Sequence, residues 1–114
     1  MADDPSDDLE ALLAGMRVEF LATAVTRVET IRREASELAI SVDPAPSLVR
    51  LAREAHTLKG GGATFGFPSL GEAGGEVERL SRALREHGAP LPDLDALHAA
   101  IDRLGLALDE ARRR

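Results

Sequence analysis

The sequence predicts an all-α protein: an up-down antiparallel bundle of four main helices, with a short extra helix possible at the N-terminus. Three observations lead there. Apolar residues recur at spacings of three to five along most of the chain, which is helical periodicity. The connections between these periodic runs are short and rich in proline or glycine, which favours antiparallel neighbours. Finally, 44% of the residues are apolar, yet there is no Trp, Tyr or Cys and only three Phe. The core must therefore come from Leu, Val, Ile and Ala, a composition that suits packed helices better than sheets.

The first periodic run extends from Asp8 to about Ala39 and carries Leu9, Leu12, Leu13, Met16, Phe20, Val25, Val28, Ile31, Ala35 and Leu38. Ser6 or Asp7 is suited to cap its start. Gly15 inside the run costs about 1 kcal/mol relative to alanine, so a short first helix is expected to break there from a longer second one. "SVDPAPS", residues 41–47, reads as a turn, with Ser47 as the cap of a helix that starts near Leu48. Along that helix Leu48, Leu51, Ala52, Ala55, Leu58 and Ala63 form one stripe, while His56 and Lys59 fall on another and face outward.

"GFPS", residues 66–69, punctuates again, and Pro68 suits a first helical turn, where its missing N–H is no loss. The helix from about Ser69 to Glu86 turns Leu70, Ala73, Val77, Leu80 and Leu84 inward and ends at Gly88. After "HGAPLPD", Pro92 and Asp93 open a last helix with Leu94, Leu97, Ile101, Leu104 and Leu108 on one face. Its basic end, "ARRR", complements the helix dipole. At 114 residues the chain is one domain, with residues 1–7 expected as a disordered acidic N-terminus and the bundle spanning about 8–112.

Composition narrows the function classes. Without cysteine there is no disulfide, thiolate metal site or cysteine nucleophile, and no need of an oxidising compartment. No apolar run approaches the ~20 residues that span a bilayer, and "MADDPSDDLE" is acidic where a secretory signal is basic and then apolar, so the expected location is cytoplasmic. A net charge of -6 argues against nucleic acid or an anionic membrane as the main partner. Of the 14 basic residues all but Lys59 are arginine.

That lysine stands in "AREAHTLKGGGATFGF", residues 52–67, between His56 and the consecutive Gly60, Gly61 and Gly62. The glycines are either a helix C-cap or, if the helix continues to about Phe65, a run that costs about 2–3 kcal/mol of propensity and leaves bare backbone surface for a partner. They are not a nucleotide-binding loop. That motif needs a strand leading in and places its lysine after the glycines. On a helix, positions three apart are neighbours, so His56 and Lys59 share a face. A neutral imidazole nitrogen is nucleophilic at physiological pH, and an ammonium beside it attracts a phosphoryl group.

His87 and His98 lack comparable neighbours and read as a helix-end residue and a surface or boundary residue. No bound metal is expected, since three scattered histidines show no close pair at ligand spacing. Arg79, Arg82 and Arg85 read as a solvated basic stripe. Phe65 and Phe67 are either core or part of an interface, with core preferred.

"AHTLKGGGATFGF" resembles, as a unit, the signature of histidine phosphotransfer (HPt) domains, of the type A-H-x-L-K-G followed by small residues and a later glycine; Ala55, His56, Leu58, Lys59, Gly60 and Gly66 fit it. The extension "GGGATFGF" is most similar to the N-terminal phosphotransfer domain of the chemotaxis histidine kinase CheA. The resemblance implies that His56 accepts the phosphoryl group, that Lys59 helps to hold it, and that Gly60 keeps a docking surface open. It also implies that Glu78, in "VERL", hydrogen-bonds the imidazole; the alternative for Glu78 is a surface pair with Arg82. A carboxylate on Nδ1 would fix the tautomer and leave Nε2 to attack.

A two-component phosphorelay carrier that is not itself an enzyme is the reading this supports. It passes phosphoryl from a histidine kinase or phospho-receiver to a response-regulator aspartate, with Mg²⁺ and ATP on the partner domains. Two alternatives stand beside it: a phosphoacceptor domain excised from a chemotaxis kinase, and a non-catalytic helical interaction module.

Overall fold

A computed structural model describes residues 5–88 and 91–114. Among them are four helices: α1 (Pro5–Leu38), α2 (Ala45–Phe65), α3 (Pro68–His87) and α4 (Leu91–Arg112). Each packs on its neighbour in sequence, and α4 returns to α1. This is the up-down arrangement that short connections impose.

The bundle's core is aliphatic, as the composition requires. Ile31, Leu48, Leu51, Leu58, Leu70, Leu97 and Leu104 are its largest fully buried side chains, with Val28 and Val77 beside them. Three aromatic rings close one end: Phe20 lies 5.2 Å from Phe65 and 6.1 Å from Phe67, centroid to centroid. Phe67 belongs to the core and Phe65 packs against it.

Several sequence expectations need correction. The break at Gly15 does not occur, and α1 runs unbroken for 34 residues. One exposed glycine costs about 1 kcal/mol, and the second half of α1 is pinned by the core. The helix already includes residues 5–7, so Ser6 and Asp7 lie in its first turn; residues 1–4 fall outside the described region. The apolar stripe from Leu9 to Met16 does not enter the core. The buried positions of α1 begin only at Phe20, and the first four turns project past the bundle, so the molecule as a whole is elongated, 64 × 21 × 19 Å.

α2 begins at Ala45, with Pro46 tolerated in the first turn, where no intrahelical N–H is needed. Asp43 Oδ1 accepts from the Ala45 N–H at 3.1 Å. Ser47 is therefore not a cap but a buried residue inside the helix. Ala63 points outward, and Gly62 takes the inward place. α4 starts at Leu91; of the preceding connection, Ala89 and Pro90 lie outside the described residues.

The helix does continue through Gly60–Gly62, ending at Gly66 in the left-handed region with φ 84°. The N–H of Phe67 donates to the Gly62 carbonyl at 2.8 Å, closing the helix end. The three glycines have different environments. A Cβ on Gly60 would meet nothing within 4 Å, whereas one on Gly61 would collide with the Phe20 ring. On Gly62 it would lie 2.5 Å from the backbone nitrogen of Gly71.

α3 answers with glycines of its own. At Gly71 a Cβ would stand 3.1 Å from the Lys59 carbonyl, and at Gly74 it would stand 3.1 Å from both the Ala55 carbonyl and the Lys59 nitrogen. Two helices thus meet backbone to backbone, as small residues permit and larger ones forbid.

Between α1 and α2, Arg50 Nε donates to Glu34 Oε1 at 2.7 Å, and Arg27 pairs with Glu54 at 2.8 Å. The Arg50 bond holds Glu34 below its usual value of 4.5 despite the opposing effect of burial, with Ser47 adding to the lowering. Glu34 Oε2 itself accepts no protein hydrogen bond of full geometry, so Ser47 is the lesser influence.

Gly60→Ala should stabilise the fold by about 0.5–1 kcal/mol through helix propensity. Gly62→Ala should destabilise it by about 2–3 kcal/mol, because the obstacle is backbone that cannot rotate away. Urea unfolding followed by circular dichroism measures both. A depressed carboxylate stabilises above its unfolded pKa and loses that contribution as pH falls through the folded one. The stability lead of wild type over Glu34→Gln should thus be full at pH 7 and shrink below about pH 4.5.

Candidate functional site

His56 stands near the middle of the 21-residue α2, on its outward face. The antiparallel register with α3 sets His56 opposite Glu78, Lys59 opposite Gly75, and Gly62 opposite Gly71. Gly71, Gly74, Gly75 and Glu78 occupy one stripe of α3, because they follow one another at helical spacing. The glycines bring the helices together, and the glutamate at the end of the stripe reaches the histidine.

His56 Nδ1 lies 2.9 Å from Glu78 Oε2. A carboxylate at this position accepts, so the proton belongs on Nδ1 and Nε2 carries the free lone pair. Exposure divides the pair: the histidine side chain is 65% accessible and the glutamate 8%. Buried by its surroundings, the carboxylate is a fixed mount for a ring that stays open to solvent.

Two cations share that carboxylate. Arg82, one turn further along α3, approaches Glu78 Oε2 at 2.6 Å, while Lys59 Nζ stands 4.0 Å from Oε1. The Lys59 stem lies along bare backbone, since a Cβ on Gly75 would be 3.4 Å from its Cδ. With its side chain 59% exposed, Lys59 has freedom to turn toward an anion arriving at His56.

Both readings that the sequence left open for Glu78 are realised together: it meets the imidazole and pairs with Arg82. The basic stripe is accordingly not uniform. Arg79 forms a two-bond pair with Glu76, at 3.1 and 2.7 Å, and Arg82 alone of the three makes an ion pair with Glu78. The Arg79 pair lowers the Glu76 carboxyl pKa and raises that of the guanidinium. The sequence offered Arg82 only as the surface-pair alternative to the imidazole contact, because i, i+4 acid–base pairs are common on solvated helices.

A broad open groove of about 840 Å³ runs from His56 and Lys59 along Gly71 and Gly75 to Arg79. A smaller one, about 350 Å³, flanks His56 on the Arg53, Arg82 and Arg85 side. Of the glycines assigned to a partner surface, Gly60 is exposed, Gly61 is half-buried under Phe20, and Gly62 is buried against α3. Only Gly60 presents fully open backbone; the other two act in packing. His87 sits in the last turn of α3 beside Glu86, and His98 is exposed on α4. Among the described residues no cluster of His, Asp or Glu is arranged to hold a metal.

An exposed imidazole hydrogen-bonded to a buried carboxylate, with a lysine beside it on the face of a four-helix bundle, is an arrangement chemically suited to phosphoryl transfer. The family comparison agrees, because the Hpt domain profile matches residues 15–111. The chain belongs to the Hpt domain family, whose members are phosphocarriers in two-component phosphorelays. No curated protein and no solved structure gives a match. Among the described residues no helix is long and apolar enough to cross a membrane.

Replacing Glu78 by Ala should release the tautomer preference. In nitrogen NMR the wild-type ring should show Nδ1 protonated and Nε2 bare, and the variant should move toward the ordinary mixture in which Nε2–H dominates. An unchanged spectrum would assign Glu78 to Arg82 alone.

Proposed function

We propose that His56 is the phosphoryl acceptor and donor of this Hpt domain. The Nδ1–Glu78 hydrogen bond carries the reading, because it selects the nitrogen that attacks. The Nε2 lone pair forms a bond to phosphorus as the bond to the leaving group breaks, releasing ADP from ATP on a kinase or a free aspartate carboxylate on a receiver domain. The ring gains positive charge as it attacks, and the carboxylate on the Nδ1 proton stabilises it. In the reverse direction a receiver aspartate takes the phosphoryl group and His56 returns to its neutral form.

Lys59 supplies a positive charge for the phosphoryl oxygens, within reach of the ring by its helical spacing and flexible stem. Gly60 leaves the surface beside the pair low enough for a partner to approach. Mg²⁺ and ATP are assigned to the partner domains, which would supply the metal and the positioning groups that in-line phosphoryl transfer needs. The run "GGGATFGF" and the Glu78 contact favour a chemotaxis-kinase type of phosphotransfer domain within the family.

Incubation with a cognate histidine kinase and radiolabelled ATP should give acid-labile, alkali-stable label that is lost in His56→Gln. Undiminished label in that variant would overturn the assignment. Lys59→Ala should retain the helical circular dichroism and slow phosphorylation by about ten- to a hundredfold, the loss of one positioned charge. An unchanged rate would remove Lys59 from the reaction.

A further inference from the structure

One oxygen of Glu78 has two close partners. Oε2 lies 2.9 Å from His56 Nδ1 and 2.6 Å from Arg82 Nη2, while Oε1 faces Lys59 Nζ at 4.0 Å, beyond hydrogen-bond reach. The Arg82 contact differs from an ordinary surface pair, because the glutamate side chain is 8% exposed, against 38% for Glu76 in the neighbouring Arg79 pair. A carboxylate so far withdrawn from water needs a counter-charge close by. Arg82 is in direct contact with it and Lys59 is not.

We propose that Arg82 is a positioning residue for phosphoryl transfer: it anchors the Glu78 carboxylate so that Oε2 stays on His56 Nδ1 and Lys59 stays unclaimed. The inference rests on the reading of His56 as the phosphoacceptor. Glu78 and Arg82 are one turn apart on α3, with the acid N-terminal to the base, which is the favourable order. Their pair is made within one helix and does not wait for α2. The guanidinium also keeps its charge under all ordinary conditions.

Without Arg82, the cation left beside the carboxylate is Lys59. Rotation of the carboxylate toward it would carry Oε2 off Nδ1. Two things would be lost in that one movement: the acceptor of the imidazole proton, and an ammonium free to meet phosphoryl oxygens. The neighbouring arginines do not substitute. Arg79 is held by both oxygens of Glu76, and Arg53 and Arg85 line the small cleft beside His56 with no ion pair to Glu78 among the described residues.

Arg82→Met keeps the aliphatic stem and removes the charge, and its helical circular dichroism should match wild type, since the side chain is 59% exposed. In nitrogen NMR at about pH 8.5, above the ordinary imidazole range, its His56 ring should leave the Nδ1–H form for the mixture in which Nε2–H dominates. Labelling by the cognate kinase should slow about tenfold, as for a displaced orienting group. In that background Lys59→Ala should cost less than about threefold, because the ammonium is already engaged. Arg82→Lys should restore both the tautomer and most of the rate, since a point charge serves for an ion pair. An unchanged tautomer in Arg82→Met would overturn the proposal whatever the rate does, because Arg82 would then act on the partner and not through Glu78. So would an Arg82→Lys variant that restores neither. The tautomer is measured without a kinase, and label loss in His56→Gln is measured with Arg82 intact, so the positioning role and the phosphoacceptor reading can fail separately.

Discussion

The distance between α2 and α3 is the constraint on which the site depends. Gly62, Gly71 and Gly74 allow the two backbones to approach more closely than any side chain would permit. Glu78 has a side chain of fixed length, so its carboxylate reaches Nδ1 of His56 at 2.9 Å only while the helices hold that separation. A methyl group at Gly62 would act on the histidine from nearly two turns away, by widening a gap that the glutamate has to bridge. Packing and chemistry thus meet in one row of residues, with glycine where closeness is needed and a carboxylate where the row ends.

That carboxylate is shared. Its Oε2 meets both the imidazole and Arg82, and its Oε1 faces Lys59 at longer range. The buried Glu78 carboxylate is offset by the cations around it, and its desolvation is easier to sustain than that of an isolated charge. Arg82 is a fixed partner through its short contact, whereas Lys59 is held loosely and keeps its capacity to bind something else. An arginine fork that constrains and a lysine stem that moves are suited to these different roles.

Much of this was legible in the sequence because helical period is a strong signal wherever a helix is pressed against a core. Leu48, Leu51, Leu58, Leu70, Val77, Leu97 and Leu104 are buried where their spacing placed them. Period alone could not say whether a partner is present to complete the burial. Leu9 to Met16 has the same pattern as the core-facing turns but lies beyond the ends of the other helices. The outward placement of His56 and Lys59 on one face of α2 was legible from their spacing, and the approach of Glu78 to the ring from the motif. The glycines were harder, since one residue type serves three environments within Gly60–Gly62, and what separates them is the neighbouring helix rather than anything local. Gly71, Gly74 and Gly75 gave no signal, because a helix interior that tolerates glycine does so for a reason visible only in three dimensions.

The placement of His56 near the centre of α2, away from either fraying end, bears on the speed of encounter. Loops and helix termini open on short timescales and must be re-ordered when a partner arrives; the middle of a packed helix does not. A reactant that meets this face finds the ring already oriented by Glu78, so in the proposed transfer no waiting time for a rearrangement is added. The rate of productive collision is then governed by diffusion, surface charge and approach geometry. In the role proposed for His56, rigidity at the reacting atom would keep each exchange with a partner brief.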